Sequence, residues 1–360
     1  MAGGAGQALW LERFFAEHDN IRAALAWLTR TGNADWGLRL AQALSQFWLE
    51  HAHPTEGREW ITALLELPGG SAFMRFRALV FATSLCNRQG DFASALQLTK
   101  KSLAIAREQG DRPGIASSLN GLAVTHSLLG NHSAAREFGA EAFRAWEDLG
   151  EPASATRMLS NLADFSKAEG DCTRALSLHE QAFSRFQGLG DRFGMAWSLN
   201  HQGDVARAQG DLPAARRLYE QGLEIFREQN DAPGVASSLL DLGRLASEEG
   251  AHVRAHALFA ESLRINRQIG RKWDLAGVLE EMARSAARQG AWERALRLAG
   301  AAAALRQRIG AALPPIEKVR LDADLDPARR GLPGADATTA WMRGWASSPD
   351  EAIEHGLQGP

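Results

Sequence analysis

Histidines, cysteines, amides and paired charges are the side chains here that could do chemistry, and their spacing decides which chemistry. His252 and His256 stand four residues apart, so on a helix both rings would share one face, as two ligands to an ion must. No glutamate joins them in a His-Glu-x-x-His arrangement, and the expectation is two surface or groove histidines. His51 and His53 flank a turn before Pro54, where exposure is expected. Cys86 and Cys172 are the two cysteines; so far apart, and both on predicted helices, they read as small buried apolar residues rather than a disulfide framework. A P-loop needs a Gly-Lys pair to wrap phosphates, and none occurs. With no nucleophile pairing or paired-carboxylate signature, the expectation is a protein that is not an enzyme, with no cofactor and no metal.

The remaining polar candidates suit recognition. Asn120, Asn161 and Asn200 carry amides that both donate and accept, which fits the backbone of an extended peptide or a polyhydroxylated ligand. Asn161 lies one residue out of register with the other two and could instead satisfy buried helix groups. Asp164 with Lys167 and Asp204 with Arg207 are spaced i,i+3, so each pair can close on itself along one helix face. Were they free, Arg157, Lys167, Arg207, Arg244 and Arg284 would form a basic track beside Asp164 and Asp204. Such mixed charge suits a peptide or zwitterion better than a polyphosphate. Arg77, Trp197, His201 and Glu280 complete the candidate groove.

These residues can be aligned because the chain repeats itself every forty residues. Gly90, Gly130, Gly170, Gly210, Gly250 and Gly290 each sit at a predicted turn between two helices, and a fixed period of this size marks a solenoid. Five residues after each turn stands Ala95, Ala135, Ala175, Ala215, Ala255 or Ala295, a small side chain where two helix axes must approach to about 8–10 Å. Seven before it stand Thr83, Ala123, Ala163, Gly203, Gly243 and Ala283, expected as the opposing contact. The pattern predicts helices over 71–89 and 92–109, 113–129 and 132–149, 153–169 and 172–189. It continues through 193–209 and 212–229, 233–249 and 252–269, and 273–289 and 292–309. The first helix of each hairpin is expected to line a concave side, and the candidate residues are projected from its outward positions.

The small residue, the turn glycine and the following alanine resemble the tetratricopeptide repeat, although the usual period is about 34 residues and HEAT-type repeats come closer in length. Leu11-Glu-Arg-Phe-Phe-Ala-Glu-His-Asp-Asn-Ile-Arg-Ala-Ala-Leu-Ala-Trp-Leu28 resembles the junction that follows the ATPase and winged-helix modules of bacterial STAND-type regulators, of LuxR-type and MalT-like kind. Leu305 to Pro315 and Ala340 to Ile353 resemble the final helices of the sensor in those proteins. The resemblance implies an all-α, right-handed superhelical solenoid. It also implies a protein or peptide partner, or a small effector, in the concave groove, with an ATPase module in cis in the full-length protein. A stand-alone scaffold binding a peptide or helix of a partner protein is the alternative. With neither P-loop nor helix-turn-helix in view, the chain reads as the sensor portion of a regulator.

Three parts are expected: an N-terminal helical cap over 1–70, six repeats over 71–310, and capping helices with a tail over 311–360. In the first, helices are predicted over Leu9–Thr29, Trp36–Leu49 and Thr55–Leu67, and Trp10, Trp27, Trp36, Trp48 and Trp60 would pack as a bulky cap. In the last, Asp326-Pro327 and Gly331–Gly334 would interrupt the helices, and Trp341, Trp345 and Ile353 would form a capping face. A net charge of −3 and a pI near 6.4 give no general attraction to nucleic acid or to an anionic membrane. Without a signal peptide or an apolar spanning segment, the default expectation is cytoplasmic.

Overall fold

A computed structural model describes residues 5–50 and 54–359. The turn expected at His51 and His53 and the packing expected of Trp10 lie outside the described side chains. Every described element is helical: α1 (Ala5–Arg30), α2 (Ala34–Ala43), α3 (Ser45–Glu50) and α4 (Pro54–Glu66) precede the repeats. Six hairpins follow as α5 (Ala72–Gln89) with α6 (Phe92–Glu108), α7 (Arg112–Leu128) with α8 (His132–Asp148), and α9 (Pro152–Ala168) with α10 (Cys172–Leu189). Then come α11 (Arg192–Ala208) with α12 (Leu212–Glu228), α13 (Ala232–Glu248) with α14 (His252–Gln268), and α15 (Lys272–Arg288) with α16 (Trp292–Arg308). The chain closes on α17 (Pro315–Gly331), α18 (Gly334–Ala346) and α19 (Pro349–Leu357). The fold is an all-α solenoid of tetratricopeptide-like hairpins.

Local chemistry sets each boundary. Gly210 adopts φ 81, the left-handed conformation in which the amide of Asp211 reaches back to the Ala206 carbonyl at 2.9 Å and closes the helix end. The Asp211 carboxylate then accepts from the Ala214 amide at 3.0 Å, capping the next helix. Asp91, Asp111, Asp171, Asp191 and Asp231 cap in the same way. Where the period substitutes Asn230 for glycine, the residue still adopts φ 52, a conformation asparagine tolerates better than most side chains.

Packing answers the two small-residue columns differently. The six alanines five after the turn are sealed from solvent, as expected. At the Gly90, Gly210 and Gly250 turns, however, the residue seven before the turn meets the residue nine after it. A Cβ at Gly203 would lie 2.6 Å from the Tyr219 ring, and one at Gly243 would lie 2.5 Å from the Phe259 ring. Thr83 and Thr99 occupy the same two places and share a hydroxyl hydrogen bond of 3.1 Å. Glycine therefore appears on one helix where the other brings an aromatic ring, which corrects the expected pairing of this column with the alanines.

Further corrections concern the ends. Trp48 is buried and Trp60 packs on the same cluster, but Trp27 and Trp36 are 53% and 63% exposed and do not join a cap core. The helix expected over Trp36–Leu49 is divided at Leu44, although the Leu44 amide still bonds Leu40 O and the Trp48 amide still bonds Leu44 O, both at 3.1 Å. Pro327 lies inside α17 rather than ending it. α18 docks on α16 through glycine: a Cβ at Gly344 would lie 1.9 Å from the Arg297 carbonyl oxygen, and one at Gly300 would lie 2.3 Å from that of Trp341. Ile353 and Trp341 pack with the core of these last helices.

The chain folds as two compact units, His201 and Gln202 marking the boundary within α11. The first holds clusters around Leu25, Trp48 and Leu85 and around Leu119, Met158 and Phe165. The second holds clusters around Tyr219 and Leu242 and around Leu279, Leu298 and Leu305.

Candidate functional site

In the first unit, α7, α9 and the start of α11 border a cleft of about 450 Å³, within the range of about 300–1,000 Å³ typical of ligand sites. Asn120, Arg157, Asn161, Trp197 and His201 line it, together with Trp146 and Phe193. Arg157 is exposed and donates to Ser154 Oγ at 3.0 Å. Asn161 Nδ2 donates to Asn120 Oδ1 at 3.0 Å, so these two amides form a rung between neighbouring repeats and leave their other hydrogen-bonding positions for a ligand. Trp197 stands between Phe193 and His201, with ring centroids 6.2 and 6.1 Å away. The wall thus combines aromatic faces, amides and one guanidinium.

Beside this wall the first unit brings together three groups that no motif announces. His179 Nε2 lies 3.4 Å, and His201 Nδ1 3.6 Å, from the same Asp164 Oδ1. The imidazole planes are within 6° of parallel, with centroids 5.2 Å apart. Lys167 Nζ stands 3.8 Å from that oxygen. Burial pushes the Asp164 carboxyl up, but neighbouring His201 and His179 and the Lys167 ammonium outweigh it and hold the group well below the usual carboxylate range. Burial lowers the His179 pKa more than Asp164 raises it, favouring the neutral ring.

The second unit spends its polar candidates internally. Tyr219 Oη donates to Asp204 at 2.8 Å. Arg207 reaches Glu248 at 2.7 Å instead of closing on Asp204. Arg244 bridges Asp241 at 2.8 Å and Glu281 at 3.1 Å, and Arg284 bridges Glu281 at 2.6 Å and Asp324 at 2.9 Å. Burial first, and then Asp204, pushes the Asp241 carboxyl up to about 6 against the pull of Arg244 and Arg207. Arg207, Arg244 and Arg284, which free would have formed most of a basic track, are therefore paired with carboxylates, as guanidinium groups partly withdrawn from water require.

Several single placements also differ from expectation. Asn200 is buried at 3% exposure, and Glu280, at 6%, is bonded to Arg306, whose guanidinium lies 4.7 Å from the Trp273 ring centroid; neither presents itself to a groove. Arg77 is exposed with its guanidinium over Phe73. Of the two histidines considered for a metal, His256 bonds the carbonyls of Gly356 and Gln358 near the end of the chain. Sequence reasoning passed over His179, Tyr219, Asp241 and Glu281. Two columns would have found them: the residue nine after the turn, which runs Thr99, Gly139, His179, Tyr219, and the residue nine before it, which runs Asn161, His201, Asp241, Glu281.

The tetratricopeptide repeat model matches residues 77–148 and 154–228. A Mycobacterium tuberculosis protein that bears the name of an HTH-type transcriptional regulator is 31% identical over 135 residues, covering 35% of this chain and 15% of its own length. The chain thus spans a small part of that relative. Among solved structures, a Rap protein complexed with Competence and Sporulation Factor aligns over 94% of this chain and 99% of its own, at a TM-score of 0.62 and 13% identity. NprR in complex with its cognate peptide NprX aligns over 67% and 70%, at 0.52 and 15%. A STAND protein with a tetratricopeptide repeat sensor from Pyrococcus horikoshii aligns over 92% and 53%, at 0.54 and 14%. At these identities the likeness is one of fold. No described helix is long and apolar enough to cross a membrane.

Proposed function

We propose that this chain is the partner-binding and signal-receiving part of a STAND-like transcriptional regulator, and that it takes an extended peptide in the first unit's cleft. The observation that carries the reading is the lining itself. The Asn120–Asn161 rung can pair with a peptide backbone, Trp197 and Phe193 offer faces to its side chains, and exposed Arg157 offers a guanidinium to a carboxylate. The fold shared with NprR bound to its peptide and with a STAND protein's repeat sensor supports the same reading, as does the partial match to a regulator. The helices over 1–70 and 311–360 serve as end caps in this proposal. Effector binding alters docking onto an ATPase module, which supplies the nucleotide chemistry; this chain supplies recognition and no catalysis.

A fluorescence-polarisation screen of short synthetic peptides carrying Asp, Glu or a free C-terminal carboxylate tests this, run with EDTA present. We expect binders whose affinity falls at least about tenfold in Arg157→Ala and in Asn161→Ala, the loss of one charge-assisted or amide hydrogen bond. Peptides held equally well by both variants would remove the cleft from consideration. A P-loop upstream or a helix-turn-helix downstream in the native coding frame separates a regulator from a free-standing scaffold.

A further inference from the structure

We infer that Asp164, His179 and His201 form a binding site for one divalent transition-metal ion of borderline softness, with Zn²⁺ as the natural occupant. Two imidazole nitrogens and one carboxylate oxygen, drawn from three consecutive helices, all lie within 4.8 Å of one another. The spacing is informative. Zinc bonds nitrogen and carboxylate oxygen at about 2.0–2.1 Å, so neighbouring ligands at the corners of a tetrahedron sit about 3.4 Å apart. The separations of 3.4 and 3.6 Å around Asp164 Oδ1 match that edge and exceed an ordinary hydrogen bond of about 2.9 Å.

The surroundings favour an ion as well. Asp164 Oδ1 and both His179 ring nitrogens are closed off from solvent, so these two ligands are held by packing. A carboxylate with two imidazoles and no thiolate suits Zn²⁺ better than Mg²⁺ or Ca²⁺, which prefer oxygen ligands. His201 also borders the cleft, placing the fourth coordination position for water. Lys167 is the natural competitor, since its ammonium stands 3.8 Å from the same carboxylate oxygen; its side chain is 27% exposed and can swing outward on its flexible stem.

Isothermal titration of the tag-free full chain with Zn²⁺, in the absence of any peptide, tests the site, with Co²⁺ absorption as a second readout. We expect one ion per chain and the intense visible band of four-coordinate cobalt. His201→Gln should weaken binding at least about 100-fold. Lys167→Met should tighten it by about tenfold through removal of a like charge. His179 is buried, so His179→Gln is read only alongside circular dichroism, and half-exposed His201 carries the test. Unchanged affinity in His201→Gln, or loss of binding in His252→Gln with His256→Gln instead, would overturn the site. Peptide binding is measured in EDTA and metal binding without peptide, so the two readings fail separately.

Discussion

At the scale of single residues, the second unit shows what burial does to charge. Arg244 and Arg284 are held between carboxylates from their own helix and from neighbouring elements, and the cost of leaving water is offset by ion pairing. Asp241 is the member least well served, because Asp204 adds a second negative charge to the effect of burial. Its folded pKa of about 6 lies above the unfolded value of about 3.9. The folded state therefore binds the proton more tightly, and ionising Asp241 destabilises the fold as pH rises from about 4 through 6. Asp241→Asn mimics the protonated acid. It should add little at pH 4 and up to about 3 kcal/mol at pH 8, measured by urea unfolding at both values. A gain that shrinks with rising pH would contradict the assignment.

At the scale of helices, the pairing of the residue seven before the turn with the one nine after it, seen at the Gly90, Gly210 and Gly250 turns, sets how closely two helices of a hairpin approach. Gly203 is small because the Tyr219 ring fills the space its side chain would take. Gly203→Ala gains about 1 kcal/mol of helix propensity but forces a methyl group into a ring, a cost of about 1–3 kcal/mol, so the net effect should be destabilising. In a Tyr219→Ala background the same change should turn stabilising by up to about 1 kcal/mol. A double-mutant cycle on chemical denaturation reads the difference, and additivity would show that the two side chains do not constrain each other. The same rule explains the aromatic and threonine versions of the contact, since Thr83 with Thr99 and Gly243 with Phe259 fill one space in different ways.

At the scale of the molecule, hairpins within each unit bury their apolar faces against their neighbours, so stability is built from nearest-neighbour interfaces. Removing Asp91–Gly130, one full period, joins Gly90 to Asn131 and keeps a first-type helix followed by a second-type helix. This variant should keep its helical signal per residue in circular dichroism and unfold cooperatively at a lower temperature. Removing only Asp91–Gly110 joins two first-type helices and leaves apolar faces unmatched, so it should lose helical signal or aggregate. Equal behaviour of the two deletions would argue against a forty-residue structural unit. The two sites of the first unit, the cleft and the histidine–aspartate cluster, each draw on consecutive repeats, so each depends on that stacking.

Within the repeats, the local sequence determined the helix boundaries to within a residue or two, because each rests on interactions only a few residues long: the left-handed turn at Gly210, the Asp211 cap, the buried alanine four residues further on. It also singled out Asn120, Asn161, Arg157 and Trp197, which the cleft does bring together. Tertiary structure alone decided the rest. Tyr219 and Asp204 are 15 residues apart, and Arg207 and Glu248 are 41 apart. Whether such side chains meet depends on how helices cross within and between hairpins, which a forty-residue period does not specify. The same crossing geometry buried Asn200, committed Glu280 to Arg306 and turned His179, unremarkable along the chain, toward Asp164.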